Sequence, residues 1–316
     1  MAHALSELVQ TLSARSSIQA EDVLALRRLI WADDGLISPV EAEAIMTLNS
    51  TCQNRSDEWL DYFNEVMVDY IVRQQEPVDY VNEAKADWLM RQIDRDGHVD
   101  SLSELELLVK ILEVANSVPE ALRTYVLLQI ELAVMSGEGP TRTGRTGGEG
   151  RLEPRHINDT EVNLLRRAVF AMASDGSYVV SQDEAEMLFR IKDATLDADN
   201  AASWGDLFVK AVGNHLMGHA DYKPLTPEAQ IELDHYVADT DLSLARFAKR
   251  AFGRRKSEPG AGEIPVEKDR RQRAEAAAQI SPDEKSWLTA RIQADGARDK
   301  LETELLNFIR RERSGV

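Results

Sequence analysis

An internal repeat is the feature that most constrains this chain. Residues 31–43 contain an Asp-Gly turn, an apolar residue, a serine and a Glu-Ala-Glu sequence, and residues 170–186 contain the same features in the same order with a longer turn. Shorter relatives of the turn lie at Asp96-Gly97 and Asp295-Gly296. Repetition in a fixed order indicates a duplicated structural unit. The chain is therefore expected to fold as two similar halves.

Apolar residues in both halves recur at helical spacing, and no stretch alternates convincingly as a half-buried strand would. The matched helix positions are Val23, Leu26 to Arg28 and Trp31 in the first half and Val162, Leu165 to Arg167 and Phe170 in the second. Four tryptophans at equivalent places are predicted core residues: Trp59, Trp88, Trp204 and Trp287. The predicted fold is all-α, with two tandem helical bundles that each contain two helix-turn-helix halves.

A glycine-rich segment separates the two halves. Residues 136–154 contain six glycines and almost no apolar residue, which is typical of a flexible linker. We predict a first helical domain over residues 1–136, a linker over 137–155 and a second helical domain over 156–316. The second half also carries an insertion at about residues 220–279 that the first half lacks.

The serines that follow the two longer turns are predicted to begin helices. Ser38 precedes Glu41 by three residues, and Ser181 precedes Glu184 by three, which is the spacing of a capping box. The serine and the glutamate accept hydrogen bonds from backbone N–H groups at the helix start, and the serine cap contributes about 1 kcal/mol. Helix capping alone would explain these four residues.

The turns contain more carboxylates than capping requires. Acidic residues crowd each Asp-Gly unit, and a hard divalent cation would relieve their mutual repulsion. The spacing does not fit an EF-hand, because Gln92 and Ser103 occupy the end positions of the loop that would centre on Gly97. A cation site would have to be assembled between two helix pairs.

In these residues the chain resembles the TerB-like family, which is named for tellurite resistance. Members are all-helical with two similar halves, each with a motif of the form A-D-G-x-[IL]-[ST]-x-x-E. Residues 32–41 fit this motif, and residues 174–184 fit it with a longer turn. The resemblance covers about residues 17–135 and 156–312 without the insertion, and it implies two TerB-like domains in tandem.

The resemblance also implies a function. Members are associated with resistance to tellurite and chemical stress, and their acidic residues are proposed to bind metal ions. It therefore implies a divalent cation, for which the carboxylate oxygens favour Ca²⁺ or Mg²⁺ over Zn²⁺, and nothing in it implies catalysis. The matching metal-ligand candidates are Asp34, Glu41, Asp96, Asp175, Glu184 and Asp295.

Composition narrows the class of protein. The net charge of −18 disfavours a nucleic-acid-binding surface and suits cations or basic partners, although solubility explains most of it. The single cysteine, Cys52, excludes an intrachain disulfide. Residues 1–15 lack the pattern of a secretory signal, and no stretch approaches the roughly 18 apolar residues of a membrane span. We expect a soluble cytoplasmic protein.

Two further clusters each have an ordinary and a functional interpretation. His215 and His219 have the i, i+4 spacing of zinc ligands, but a structural or surface pair is the simpler interpretation. The basic residues within 246–256 would suit an anionic membrane surface, an acidic partner or the chain's own acidic surface.

Two functional hypotheses follow. The leading one is a non-catalytic, TerB-like stress protein that binds a divalent cation or a protein partner through its acidic turns. The alternative is a protein-interaction scaffold without a metal, in which the acidic turns only cap helices. No nucleophile or cofactor motif in the sequence supports an enzyme.

Overall fold

A computed structural model of the chain describes residues 2–31, 35–94, 99–142, 154–171, 180–218, 282–293 and 298–314. These residues form twelve α-helices, one short π-helical segment and two strands of two residues each, which confirms the predicted all-α class. None of the described helices is long and apolar enough to cross a membrane.

The first half contains six helices. They are α1 Ala2–Arg15, α2 Ala20–Ile30, α3 Pro39–Thr51, α4 Asp57–Val68, α5 Glu83–Ile93 and α6 Leu102–Val114. The π-helical segment Asp69–Gln74 continues α4. The strands β1 Ser17–Ile18 and β2 Asn54–Arg55 pair in parallel.

Six more helices follow in the chain. They are α7 Glu120–Ser136, α8 Asp159–Val169, α9 Gln182–Ala194, α10 Trp204–Gly218, α11 Pro282–Ile292 and α12 Lys300–Ser314. The predicted insertion at 220–279 and the basic residues at 246–256 lie outside the described residues.

Matched residues make matched hydrogen bonds in the two halves. Ile18 and Ile157 are both fully buried, and each lies two residues before the first residue of a helix, α2 or α8. The carbonyl of Ile18 accepts from the Ser56 amide at 2.9 Å, and the carbonyl of Ile157 accepts from the Ala201 amide at 2.9 Å. The backbone bonds that join the start of α2 to α4 are thus repeated between α8 and α10.

Helix α7 has contacts in both halves. It packs against α8 and α9, as α1 packs against α2 and α3, and it also packs against α5 and α6. A broad face of the helix is therefore buried, and its apolar side chains include Leu122, Val126, Ile130 and Val134. The buried apolar residues of the two halves form one continuous cluster.

The four matched tryptophans divide into two pairs. Trp59 and Trp204 are buried as predicted, whereas Trp88 and Trp287 are only half-buried. The rings of the second pair lie at the edge of the core, where Trp88 meets one aromatic ring edge to face and Trp287 meets two, one of them Phe189 at 5.6 Å. Tyr70 contacts Trp88 at a centroid distance of 5.5 Å, and His215 contacts Trp287 at 5.2 Å.

The last helix of each half differs in surface character. Ser101 and Asp299 cap α6 and α12, and this match sets the register between the two helices. Three buried apolar residues of α6 correspond to exposed polar residues of α12. The pairs are Leu105 with Thr303, Val109 with Asn307, and Leu112 with Arg310.

Candidate functional site

The two described metal-ligand candidates cap helices. Glu41 accepts a hydrogen bond from the Ser38 amide at 2.8 Å, and Glu184 accepts one from the Ser181 amide at 2.8 Å. The amides of both glutamates donate in return to the serine hydroxyls, at 3.3 Å in each case. The capping boxes predicted from the sequence are thus confirmed.

The residue before each capping serine is anchored from the helix that faces it. The Ile37 amide donates to Gln74 Oε1 at 2.7 Å, and the Val180 amide donates to Asn214 Oδ1 at 2.8 Å. A side-chain amide thus holds the last residue of each turn in place. The two amides, of Gln74 and Asn214, come from positions that do not correspond in the repeat.

The other four candidates, Asp34, Asp96, Asp175 and Asp295, lie outside the described residues. Glu41 and Glu184 begin helices in different halves, and the structure does not bring them into one ligand group. Among the described residues, a single group of three or more potential ligands lies close enough together to hold a metal ion: Asp193, Asp299 and Glu302, whose oxygens lie within 4.8 Å of one another.

An ammonium group already occupies this acidic cluster. Lys192 Nζ lies 2.7 Å from Asp193 Oδ1 and 2.7 Å from Glu302 Oε1, and it also donates to Asp299. Lys192 and Glu302 are each only 1% exposed. Burial alone would disfavour the ammonium, but the hydrogen bonds to the three carboxylates outweigh burial and raise the pKa of Lys192. The cluster therefore carries its own cation.

The first half uses an amide at the matched position. Asn49 corresponds to Lys192, and its Nδ2 donates to Ser101 Oγ at 3.2 Å and to Glu104 Oε1 at 3.1 Å. Its Oδ1 accepts from Trp59 Nε1 at 3.0 Å. Burial raises the pKa of Glu104 despite hydrogen bonds from Ser101 and Asn49. Asn49 on α3 thus binds the start of α6, and Lys192 at the matched position on α9 binds the start of α12.

A second buried lysine holds a loop. Lys85, which is 5% exposed, donates from Nζ to the backbone carbonyls of Gln75, Pro77 and Tyr80 at 2.8, 2.7 and 2.7 Å. Burial lowers the pKa of this side chain to about 8, although Glu76 and Asp79 favour its charge. The three carbonyls explain why a lysine is buried here.

Ion pairs connect the two halves. Arg167 of α8 reaches two carboxylates of α6, with Nη1 at 2.6 Å from Glu106 Oε2 and Nε at 2.7 Å from Glu113 Oε1. Arg190 of α9 makes a bidentate contact with Glu131 of α7 at 2.7 and 2.8 Å. Hydrogen bonds to Glu113 and Glu106 raise the pKa of Arg167 against the effect of burial.

The described start of the predicted linker is fixed to α8. Arg142 Nη2 donates to Glu161 Oε2 at 2.8 Å, and Thr141 Oγ1 donates to Glu161 Oε1 at 2.7 Å. The side chains of Arg142 and Glu161 are 2% and 0% exposed. Burial raises the pKa of Glu161, while the Asn158 amide and Arg142 act in the opposite direction. Linker residues 143–153 lie outside the described residues.

A cleft of about 650 Å³ lies between α7 and the N-terminal part of α9. Its apolar lining comes from Leu127, Leu128 and Met187, while Arg123 and Arg190 line its sides. Leu128 is 44% exposed, and Leu132, one turn further along α7, is 38% exposed. Five carboxylates also line the cleft: Glu120, Glu131, Asp183, Glu184 and Glu186.

Other predicted candidates have structural roles. His215 is buried, and its Nδ1 lies 2.8 Å from the Val180 carbonyl, while His219 is outside the described residues. Cys52 is buried, and burial raises the pKa of its thiol, which disfavours the reactive thiolate.

Sequence reasoning missed Lys192, Asn49 and the cleft. The partners of Lys192 at the start of α12 are 107 and 110 residues away, so no local pattern reveals the contact. The capping-box spacing of Asp299 and Glu302 was a usable signal for the start of α12, but not for the lysine that lies against it.

No protein-family model, no curated protein and no solved structure matches this chain.

Proposed function

We propose that the protein is a protein-binding scaffold and that the cleft between α7 and α9 receives a helix of its partner. The observation that carries this proposal is the cleft itself, with Leu128 and Leu132 exposed beside it. Exposed leucines four residues apart lie on one side of a helix. They are suited to hold an amphipathic partner helix in a groove.

The position of the cleft supports a binding role. One wall belongs to α7 and the other to α9, and the bidentate contact between Arg190 and Glu131 connects the two walls. Glu186 on the α9 wall is itself held by Trp287 and Arg291 of α11. A groove with fixed walls binds at a lower ordering cost than one that forms on contact.

The charge of the lining favours a basic partner. Five carboxylates and two guanidinium groups surround the apolar floor, so the cleft has an excess of negative charge. The whole chain, with a net charge of −18, adds to this field. We therefore expect an amphipathic helix with lysine or arginine beside its apolar residues.

A peptide-binding experiment tests the proposal. Two fluorescent amphipathic peptides share leucines at i, i+3, i+4 and i+7 and differ only in lysines or glutamates elsewhere. We expect the lysine peptide to bind more tightly, and Leu128→Asp to weaken its binding at least about tenfold, a loss typical of a central apolar contact. Leu196→Asp, at a leucine that is 46% exposed after α9, is the control. Equal effects of the two substitutions would refute the cleft as the site.

The cation function implied by the TerB-like resemblance is a separate prediction. At the described cluster Lys192 takes the place of a cation, whereas Asp34, Asp96, Asp175 and Asp295 lie outside the described residues. Thermal melts of chelator-treated protein with Ca²⁺, Mg²⁺, Mn²⁺ or Zn²⁺ test it, because a ligand at 100 times its Kd adds about 2.7 kcal/mol. A stabilisation lost in Asp34→Asn or Asp175→Asn would place a cation at the turns.

A further inference from the structure

Helix α2 carries a second copy of the face through which α8 joins the two halves. The repeat aligns three residues of α2 with three residues of α8: Ala25 with Leu164, Arg28 with Arg167, and Leu29 with Ala168. The core sides of the two helices match as well, since Val23 and Leu26 correspond to the buried Val162 and Leu165.

The two copies differ in exposure. Leu164 and Ala168 of α8 are fully buried, and α8 packs against α6 and α7. Ala25 and Leu29 of α2 are only half-buried, and Arg28 is exposed. The surface that joins the halves through α8 is therefore present on α2 in a more open form.

Two further observations indicate that this surface is accessible. Leu24, on the turn before Arg28, is 53% exposed. Arg28 forms no ion pair with any described residue, whereas its neighbour Arg27, about 100° around the helix, pairs with Glu65 at 2.8 Å. An exposed leucine beside an arginine without an ion-pair partner has the composition of an interface core and rim.

The chemistry of the partner can be read from α6. Arg167 spans Glu106 and Glu113, which are seven residues apart and so lie two turns apart on one side of the helix. The buried Val109 lies between them. A helix with two carboxylates seven residues apart and an apolar residue between them would present the same groups to Arg28.

We propose that the α2 face, defined as Leu24, Ala25, Arg28 and Leu29, binds a helix of another protein that carries this acidic and apolar pattern. Among the described helices of a second copy, α6 is covered by α8 and the matched face of α12 is polar, so neither of these two presents such a pattern. This surface lies on a different helix from the cleft, so the inference goes beyond the proposed function and does not depend on it.

A peptide with the α6 sequence, residues 101–115, is the probe. It is held helical by a hydrocarbon staple, checked by circular dichroism and labelled with fluorescein, and its binding to the full chain is measured by anisotropy. We expect binding that Arg28→Ala and Leu24→Asp each weaken about tenfold, in line with the loss of a charge-assisted contact. Arg166→Ala and Leu196→Asp, at exposed sites elsewhere, should leave binding unchanged.

The peptide provides a second control. Replacement of both Glu106 and Glu113 in the peptide by glutamine should weaken its binding to the wild-type chain and have little further effect on Arg28→Ala. Absence of binding up to about 1 mM peptide, the weak end of specific recognition, would overturn the inference. So would a loss of binding in Leu128→Asp but not in Arg28→Ala, because the peptide would then lie in the cleft.

Discussion

Replacement of Lys192 by methionine should strongly destabilise the fold. Methionine preserves most of the buried side-chain volume, so the change removes mainly the ammonium. It leaves Glu302, whose side chain is 1% exposed, and Asp299, at 9%, as buried carboxylates without their cation. Removal of one partner from a buried ion pair typically costs about 3–5 kcal/mol. Asp193 is 51% exposed and should be rehydrated at little cost.

The loss should depend on pH in a defined direction. Without Lys192 the buried carboxyl groups should have folded-state pKa values above their unfolded values of about 4. Such a carboxyl group does not reduce the free energy of unfolding below its unfolded-state pKa. The reduction grows as the pH rises from the unfolded-state pKa through the folded-state pKa. Lys192→Met should therefore be closer to the wild type at pH 4.5 than at pH 7, by roughly 1.4 kcal/mol for each unit of pKa shift.

Urea unfolding followed by tryptophan fluorescence measures both effects. Lys210→Met is the matched control, since Lys210 pairs with Asp206 at 2.9 Å with both side chains more than half exposed. It should cost less than about 0.5 kcal/mol. A loss below about 1 kcal/mol for Lys192→Met, well under the buried-pair range, would refute the reasoning, as would a loss independent of pH.

The same position tests whether lysine stands in for a metal. In Lys192→Ala the oxygens of Asp193, Asp299 and Glu302 remain, and Ca²⁺ binds groups of carboxylate oxygens. Millimolar Ca²⁺ should therefore raise the melting temperature of Lys192→Ala more than that of the wild type. An equal response would show that the vacated cluster does not bind the ion.

Two further substitutions test buried charges. Lys85→Met should lower the free energy of unfolding by about 2 kcal/mol, because three backbone carbonyls lose their donor. Since burial lowers the pKa of Lys85 to about 8 from 10.5, the wild type should also gain stability as the pH rises from 8 to 10.5, and melts of Lys85→Met should lack this gain. Arg167→Ala should lower the free energy of unfolding in urea by about 1–3 kcal/mol, because it removes the charge-assisted hydrogen bonds that connect the two halves. Arg166→Ala, which loses only a contact with Asn163 on its own helix, should cost less than about 0.5 kcal/mol, and equal losses would contradict this role.

Local features could be predicted from the sequence. The all-α class follows from helical periodicity, and the capping boxes at Ser38 and Ser181 follow from a spacing of three residues. Such signals lie within one turn of the chain, where the backbone alone determines which groups meet.

Contacts between distant residues could not be predicted in this way. The acidic residues around each Asp-Gly turn predict a cation, and at Asp299 and Glu302 the positive charge comes from a lysine more than 100 residues earlier in the chain. The glycine-rich segment after residue 136 assigns α7 to the first domain, whereas its packing against α8 and α9 depends on tertiary structure. The half-burial of Trp88 likewise depends on where α5 meets the core.

The polar surface of α12 limits how this architecture could be extended by duplication. A further unit would need an apolar face to stack on, as α8 has on α6. At the three matched positions α12 presents Thr303, Asn307 and Arg310, which prefer water. A third unit fused after residue 316 would thus form a separate domain that does not pack on α12, unless these side chains were replaced by apolar ones. Such replacements would also create an exposed apolar surface that is prone to aggregation.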